Sequence, residues 1–329
     1  MKRVAAIDCG TNSIRLLIAD GGPVGLSDVR REMRVVRLGE GVDQTGRLAP
    51  AAIERTRLAL VDYAECIRSL EATEVRMVAT SASRDAANAD EFRAVVRQVL
   101  EVEPEVITGL AEAELSFTGA VASLSGVAEP LLLADIGGGS TELVLGSATS
   151  PAASAPAQPA ATAPSARAQP GPKVVAAHSM DVGCVRLTER HLHDDPPTEA
   201  QVQGALADLR VALQAAAADV PVSRAAAFVG VAGTVTTIAA LALDLPAYDA
   251  DAIHGSVIDY QQVAEVTGRL LGMRRAERAA LPVMHPGRVD VIGGGALVLR
   301  TVMEFAGARE VIASEHDILD GIALSLLAR

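Results

Sequence analysis

Asp8-Cys-Gly-Thr-Asn-Ser-Ile-Arg-Leu-Leu-Ile18 and Asp135-Ile-Gly-Gly-Gly-Ser-Thr-Glu-Leu-Val-Leu145 are one device written twice. Laid over each other, they match Asp8 with Asp135, Gly10 with Gly137, Ser13 with Ser140 and Leu16 with Leu143. A glycine-rich turn lets backbone N–H groups converge on an anion, because no Cβ blocks the approach. An aspartate beside it is placed to hold a divalent cation that bridges phosphate oxygens. The chemistry expected is therefore metal-assisted handling of phosphate. Thr11, Asn12, Ser13, Ser140 and Thr141 add hydroxyl or amide donors, and Gly137, Gly138 and Gly139 add bare backbone. Two further glycine turns join them: Val231-Ala-Gly-Thr-Val-Thr-Thr237, with Gly233 and Thr234, and Val291-Ile-Gly-Gly-Gly-Ala-Leu297 opening a helix. Helix starts hold anions naturally, although either turn taken alone reads first as close strand–helix packing.

The elements that must position these residues are short. Each duplicated turn follows an apolar run (Val4 to Ile7, Leu131 to Ala134) and leads into another, which predicts strand, tight turn, strand. The first half then alternates. Helices are expected from Pro50 to about Leu70, from Asp90 to Leu100 and from Leu110 to about Leu124, with strands at Val75 to Thr80 and Val106-Ile107. The second half adds helices around Thr198 to Asp219, a strand and helix around Phe228 to Leu243, a strand, turn and helix over Asp290 to Phe305, and a closing helix over His316 to Ala328. Strands alternating with helices imply an α/β fold, and one turn per half implies two related lobes gripping phosphate between them.

Composition narrows the class. The chain has 329 residues, 50% of them hydrophobic but only 2% aromatic, so its cores are built from Ala, Val, Leu and Ile. A net charge of -12 argues against a protein that coats nucleic acid. A polyanionic substrate stays compatible if the site is locally basic and metal ions neutralise the rest. Three scattered cysteines (Cys9, Cys66, Cys184) give neither a disulfide framework nor a zinc spacing, which fits the reducing cytoplasm. No signal peptide is visible, and glycines break the one long uncharged stretch, Ala225 to Leu243, so no membrane association is expected. Residues 147–172, rich in Ala, Pro, Ser and Gln, are expected to be a disordered insertion at a hairpin tip.

Taken together, the motifs resemble the exopolyphosphatase / guanosine pentaphosphate phosphohydrolase (Ppx/GppA) family of the actin, sugar kinase and Hsp70 superfamily. The resemblance rests on the two turns, Ala79-Thr-Ser-Ala-Ser-Arg-Asp85, Ile107-Thr-Gly-Leu-Ala-Glu-Ala113, Gly183-Cys-Val-Arg-Leu-Thr-Glu189 and Ser314-Glu-His-Asp-Ile-Leu-Asp-Gly-Ile322. It implies two RNase-H-like (actin-like ATPase) lobes with a cleft between them. The N-terminal lobe would be residues 1–128, the C-terminal lobe 129–314, and the helix over 315–329 would pack back on the first.

The resemblance also implies an activity: Mg²⁺- or Mn²⁺-dependent removal of terminal phosphate from inorganic polyphosphate. Guanosine pentaphosphate is the alternative substrate. A phosphotransferase and a non-catalytic guanosine tetraphosphate sensor are rival readings. Glu112 becomes the base that activates water, Arg84 a phosphate clamp, and Asp135 and Glu142 the metal ligands, with Asp8 in the matching place of the other lobe. Read bare, Glu112 is a first-turn helix carboxylate favoured by the macrodipole, Glu142 an outward strand residue and Arg84 a surface arginine. Arg186 is a further candidate. His191-Leu-His193-Asp194-Asp195 imitates a metal cluster but reads as a solvated loop. Ala111 replaces the acidic residue often found before the base, and Cys9 an aliphatic one. The chain ends after its closing helix, from which a preference for short polyphosphates is expected. A homodimer is compatible with the sequence, and nothing in it specifies one.

Overall fold

The computed structural model describes residues 2–22, 25–148 and 171–328, so the core of the Ala/Pro-rich insertion lies outside the described residues. The first half runs β1 (Arg3–Cys9), β2 (Ser13–Gly22), β3 (Gly25–Val35), α1 (Val42–Thr45), α2 (Pro50–Ser69), β4 (Glu74–Ala79), α3 (Ser81–Asp85), α4 (Ala89–Leu100), β5 (Glu105–Val106) and α5 (Gly109–Val121). The second runs β6 (Leu131–Ile136), β7 (Thr141–Ser147), β8 (Lys173–Met180), α6 (Cys184–His191), α7 (Glu199–Asp219), β9 (Ala227–Val231), α8 (Ala232–Ala242), α9 (Ala250–Ile253), β10 (Val257–Asp259), α10 (Tyr260–Gly272), α11 (Arg275–Ala279), α12 (Ile292–Ala306), β11 (Glu310–Ala313) and α13 (Ile318–Leu327).

These strands form two sheets, ordered β3-β2-β1-β4-β5 and β10-β11-β9-β6-β7-β8. Strand by strand, the first sheet is repeated in the second as β8-β7-β6-β9-β11, and β10 adds an antiparallel edge. Pairing senses repeat as well: β1 with β2 and β6 with β7 are antiparallel, β1 with β4 and β6 with β9 parallel. The duplication seen in two eleven-residue stretches thus extends to whole lobes. β1 and β6 sit at the sheet centres, buried nearly end to end, which is why both read as uninterrupted apolar runs closed by an aspartate.

Two local expectations change. The first strand–turn–strand unit is not a hairpin alone but continues into a third strand, β3, whose Asp28-Val-Arg-Arg-Glu-Met-Arg34 run is charged because it forms an exposed sheet edge. No strand precedes the glycines at 293–295; a turn leads straight into α12, and all three lie in its first turn. A Cβ on Gly294 would lie 2.9 Å from the Cys184 carbonyl, and one on Gly295 2.6 Å from Thr234 Oγ1. At these two positions, close helix packing is what the glycines serve.

Helices α5 and α13 exchange lobes. Ala113, Phe117, Ala120 and Val121 of α5 join a core with Leu131, Leu133 and Val144 of the second sheet. Ile318, Leu319, Ile322 and Leu326 of α13 pack on Val4, Ala6 and Leu17 of the first. A division at residue 128 therefore follows chain order, whereas packing assigns α5 to the second sheet. The two helices cross at Gly119 and Gly321 with their backbones in contact. Among the described residues, no helix is long and apolar enough to cross a membrane.

Candidate active site

Register places the duplicated residues. In the first turn Asp8 faces Arg15 across the hairpin, and the Gly10 N–H closes the loop onto the Ser13 carbonyl at 2.9 Å. In the second, Asp135 faces Glu142, and Gly137 N–H donates to the Ser140 carbonyl at 3.1 Å. The turns meet tip to tip: a Cβ on Gly138 would lie 2.9 Å from Thr11 Cβ and 3.3 Å from the Asn12 nitrogen. Only glycine allows that approach.

One cleft results. Asp8, Thr11, Asn12 and Ser13 line it from the first lobe, and Asp135, Gly137, Gly138 and Ser140 from the second. Gly233 and Thr234, at the start of α8, and Glu112 complete the wall. The remaining expected residues are placed differently. Gly139 faces Ser81 and Thr11, whose hydroxyls share a 2.8 Å hydrogen bond. Thr141 donates to the Val182 carbonyl at 2.6 Å. Glu142 is sealed behind the turn, accepting from Ser179 Oγ at 2.7 Å.

Glu112 owes its place to α5. Thr108 caps the helix by accepting from the Ala111 N–H, and Gly109 fits the helix start against Ser179, leaving Glu112 on the buried first turn. Burial first, and then the negative charge of Asp135, raise its carboxyl to about 8. Arg84 opposes them, donating from Nη1 to Glu112 Oε2 and to the Ile107 carbonyl, each at 3.1 Å. Arg84 thus grips the carboxylate rather than facing the cleft as a free phosphate clamp. Asp135 is raised to about 7 by burial and then by Asp317, against a 2.6 Å hydrogen bond from Ser116. Burial, followed by the charges of Glu112 and Asp135, also pushes Glu142 well above the usual carboxylate range.

Of five buried carboxylates here (Asp8, Glu112, Asp135, Glu142, Asp317), Arg15 pairs with Asp8 and Asp317 and Arg84 with Glu112, while Asp135 and Glu142 accept from the hydroxyls of Ser116 and Ser179. Arg15 occupies one oxygen of Asp8, with Nη2 2.6 Å from Oδ2, while Asp8 Oδ1 is buried with no hydrogen-bond partner. An orphaned oxygen and an excess of negative charge fit a divalent cation. No three Asp, Glu, His or Cys among the described residues converge tightly enough to cage a metal unaided. The fit is to an ion of the Mg²⁺ kind, held by one or two carboxylates, water and substrate phosphates.

Four residues escaped the sequence reading. Arg15 and Asp317 form an ion pair that ties α13 to Asp8. Ser81 buttresses Thr11. Arg288 lines the cleft, stacked so closely on Gly233 that no Cβ fits there, and donates to Thr237 at 2.9 Å. A signal existed only for Arg15: opposite Asp8 it holds the register place that Glu142 holds opposite Asp135. Arg186 faces Asp43, Asp85 and Asp181 instead of the cleft. His191 pairs with Asp208, and among the described residues no metal-binding cluster gathers around it. Cys9 is buried, and burial pushes its thiol well up, leaving it unreactive.

Residues 17–329 match the Ppx/GppA phosphatase family. The chain belongs to that family. It is 52% identical over 340 aligned positions to Exopolyphosphatase 2 of Mycobacterium tuberculosis (strain ATCC 25618 / H37Rv), covering 99% of both chains. A crystal structure of an exopolyphosphatase-like protein superposes with a TM-score of 0.89 at 41% identity, over 99% of this chain and 97% of that one. The Ppx/GppA member from Aquifex aeolicus gives 0.77 at 30% identity, over 99% and 98%. This Ppx/GppA chain therefore has the two-lobed, actin-like α/β fold of its relatives.

Proposed function

We propose that this protein is a metal-dependent exopolyphosphatase that removes the terminal phosphate of inorganic polyphosphate, short chains foremost, in the cytoplasm. One observation carries the reading: two glycine turns touch in a single cleft, with the buried carboxylate of Glu112 beside them. The 52% identity to a relative named Exopolyphosphatase 2 supports it.

The turns would hold the terminal phosphates through their amide N–H groups and the hydroxyls of Thr11, Ser13 and Ser140. Glu112, held up to about 8 by burial, has the proton affinity a base needs near neutral pH. It would take a proton from the attacking water as a bond forms to the terminal phosphorus. The bond from that phosphorus to the bridging oxygen breaks, releasing phosphate and a chain one unit shorter. Arg84 would keep Glu112 aimed. Asp8 and Asp135 are the proposed cation ligands facing the cleft, and Glu142 behind them is the third. A bound Mg²⁺ or Mn²⁺ would supply neutralisation of phosphate charge in the transition state.

The test is phosphate release from short polyphosphate, long polyphosphate and guanosine pentaphosphate in parallel, with and without Mg²⁺. Release from polyphosphate that requires the ion is expected, and Glu112→Gln should lower it by about 10²- to 10⁴-fold with an unchanged fold. Release from pentaphosphate alone refutes the substrate. ATP formed from ADP and polyphosphate would make the protein a transferase, and binding without release a sensor. An active Glu112→Gln removes the base.

A further inference from the structure

Helix α6 is bolted to the second glycine turn. Its first three N–H groups, from Cys184, Val185 and Arg186, donate to the Gly137 and Gly138 carbonyls at 2.9, 2.9 and 3.2 Å. Gly183, just before it, lies so close to Gly138 that a Cβ would fall on the Gly138 carbonyl. The other end of α6 reaches across to the first lobe. Arg190 grips Asp43 with two nitrogens, at 2.7 and 2.8 Å, and Glu189 accepts from the Gly41 N–H at 3.2 Å.

Arg186 lies between these contacts, 7% exposed, with each guanidinium nitrogen on a different carboxylate. Nε faces Asp43 and Nη1 faces Asp181, both at 3.2 Å, and Nη2 bonds Asp85. Asp85 is the last residue of α3, a helix of only five residues. Ser81, its first residue, holds Thr11 of the first turn, and Arg84 holds Glu112 at 3.1 Å. A short helix therefore carries three contacts at once: to one turn, to the carboxylate base and, through Asp85, to the opposite lobe.

We propose that Arg186 is a positioning residue for hydrolysis: by tying Asp85 to α6, it makes the placement of Arg84 and Glu112 depend on closure of the lobes. The inference rests on Glu112 being the base, as proposed above. When the lobes part, Arg186 leaves Asp85 and Asp43, α3 loses its anchor and Glu112 loses its aim. When they close on substrate, the two ion pairs re-form and the base is set. Water is then activated only in the closed cleft. An error of about 1 Å in such a group costs on the order of a hundredfold in rate.

The experiment compares Arg186→Gln, Asp85→Asn, the double variant and Arg186→Lys with wild type in Mg²⁺-supported phosphate release, with thermal unfolding recorded for each. Each single variant is expected to lower kcat about ten- to a hundredfold while KM changes less than about threefold. The double variant should be no worse than the worse single one, because both break the same link. Arg186→Lys, which keeps the charge but cannot reach three carboxylates, should recover part of kcat. A purely structural role predicts lower unfolding temperatures with kcat per folded molecule preserved. Kcat within twofold of wild type in Arg186→Gln, or losses that multiply in the double variant, overturns the proposal. Should Arg186→Gln not fold, Asp85→Asn, at a more open site, decides by the same kcat criterion. Glu112→Gln keeps the two readings apart: activity there removes the base, whereas inactivity there beside an unaffected Arg186→Gln removes only the positioning role.

Discussion

Adding one methyl group at Gly119 perturbs the crossing of α5 and α13. An alanine Cβ there would lie 2.7 Å from the Gly321 nitrogen and 2.8 Å from the Asp317 carbonyl carbon, and would overlap the Asp317 carbonyl oxygen. All three atoms are backbone, so no rotamer change relieves the clash, and the helices must separate by roughly 1 Å. Overpacking of this kind costs typically 1–3 kcal/mol. The catalytic effect should exceed the stability effect, because α5 carries Glu112 and the start of α13 carries Asp317, which holds Arg15 against Asp8. A displacement of about 1 Å on both sides of the cleft is expected to lower kcat by on the order of a hundredfold.

Gly268 provides the internal control. It lies within α10, and a Cβ there meets nothing within 4 Å, so Gly268→Ala should raise stability by about 0.5–1 kcal/mol and leave kcat alone. Thermal unfolding and steady-state phosphate release for both variants make the assay. The reasoning is refuted if Gly119→Ala keeps wild-type kcat and unfolding temperature, or if both variants shift in the same direction.

Chelation of divalent ions should abolish phosphate release, and Mg²⁺ or Mn²⁺ should restore it; undiminished release after exhaustive chelation would discard Asp8, Asp135 and Glu142 as cation ligands. Gly139→Ala should raise KM at least tenfold, because its Cβ would sit 2.5 Å from Thr11 Oγ1 and against Ser81 Oγ, prising the turns apart. A third expectation concerns acid stability. Burial would raise the Asp320 carboxyl, yet hydrogen bonds from His316 and Arg31 hold it down at about 2. Because that lies below the unfolded value of about 4, its contribution of about 2 kcal/mol is present above pH 4 and lost as pH falls through 2. The hydrogen bond to Asp320 raises His316, so that partner's share is present below its unfolded value and fades as pH rises through the folded one. Asp320→Asn should therefore lower the unfolding temperature at pH 6 and flatten its decline between pH 4 and 2, measured by calorimetry.

Much of what lines the cleft could be read from local pattern. A glycine turn between two apolar strands with an aspartate at its mouth is specified by a dozen contiguous residues, and both copies folded as expected. β3 was missed because its residues face water on an edge, where charge hides the strand period. The helical glycines 293–295 were given a strand before them because glycine runs punctuate turns and tight helix contacts alike. The sequence could not say which neighbour the Arg84 guanidinium would hold, and in the structure that neighbour is Glu112.

The amino-acid order by itself determined the duplicated strand–turn–strand units, the central buried strands, most helices and the two aspartates at the turns. Each depends on hydrogen bonds and side-chain periods within a few residues. Tertiary structure alone decided that the two turns touch, that α5 and α13 change lobes, that Arg15 joins Asp317 and that Arg186 reaches Asp85. Those partners lie about a hundred to three hundred positions apart. Their meeting is fixed by how two sheets and a helix crossing pack, and no local period records that distance.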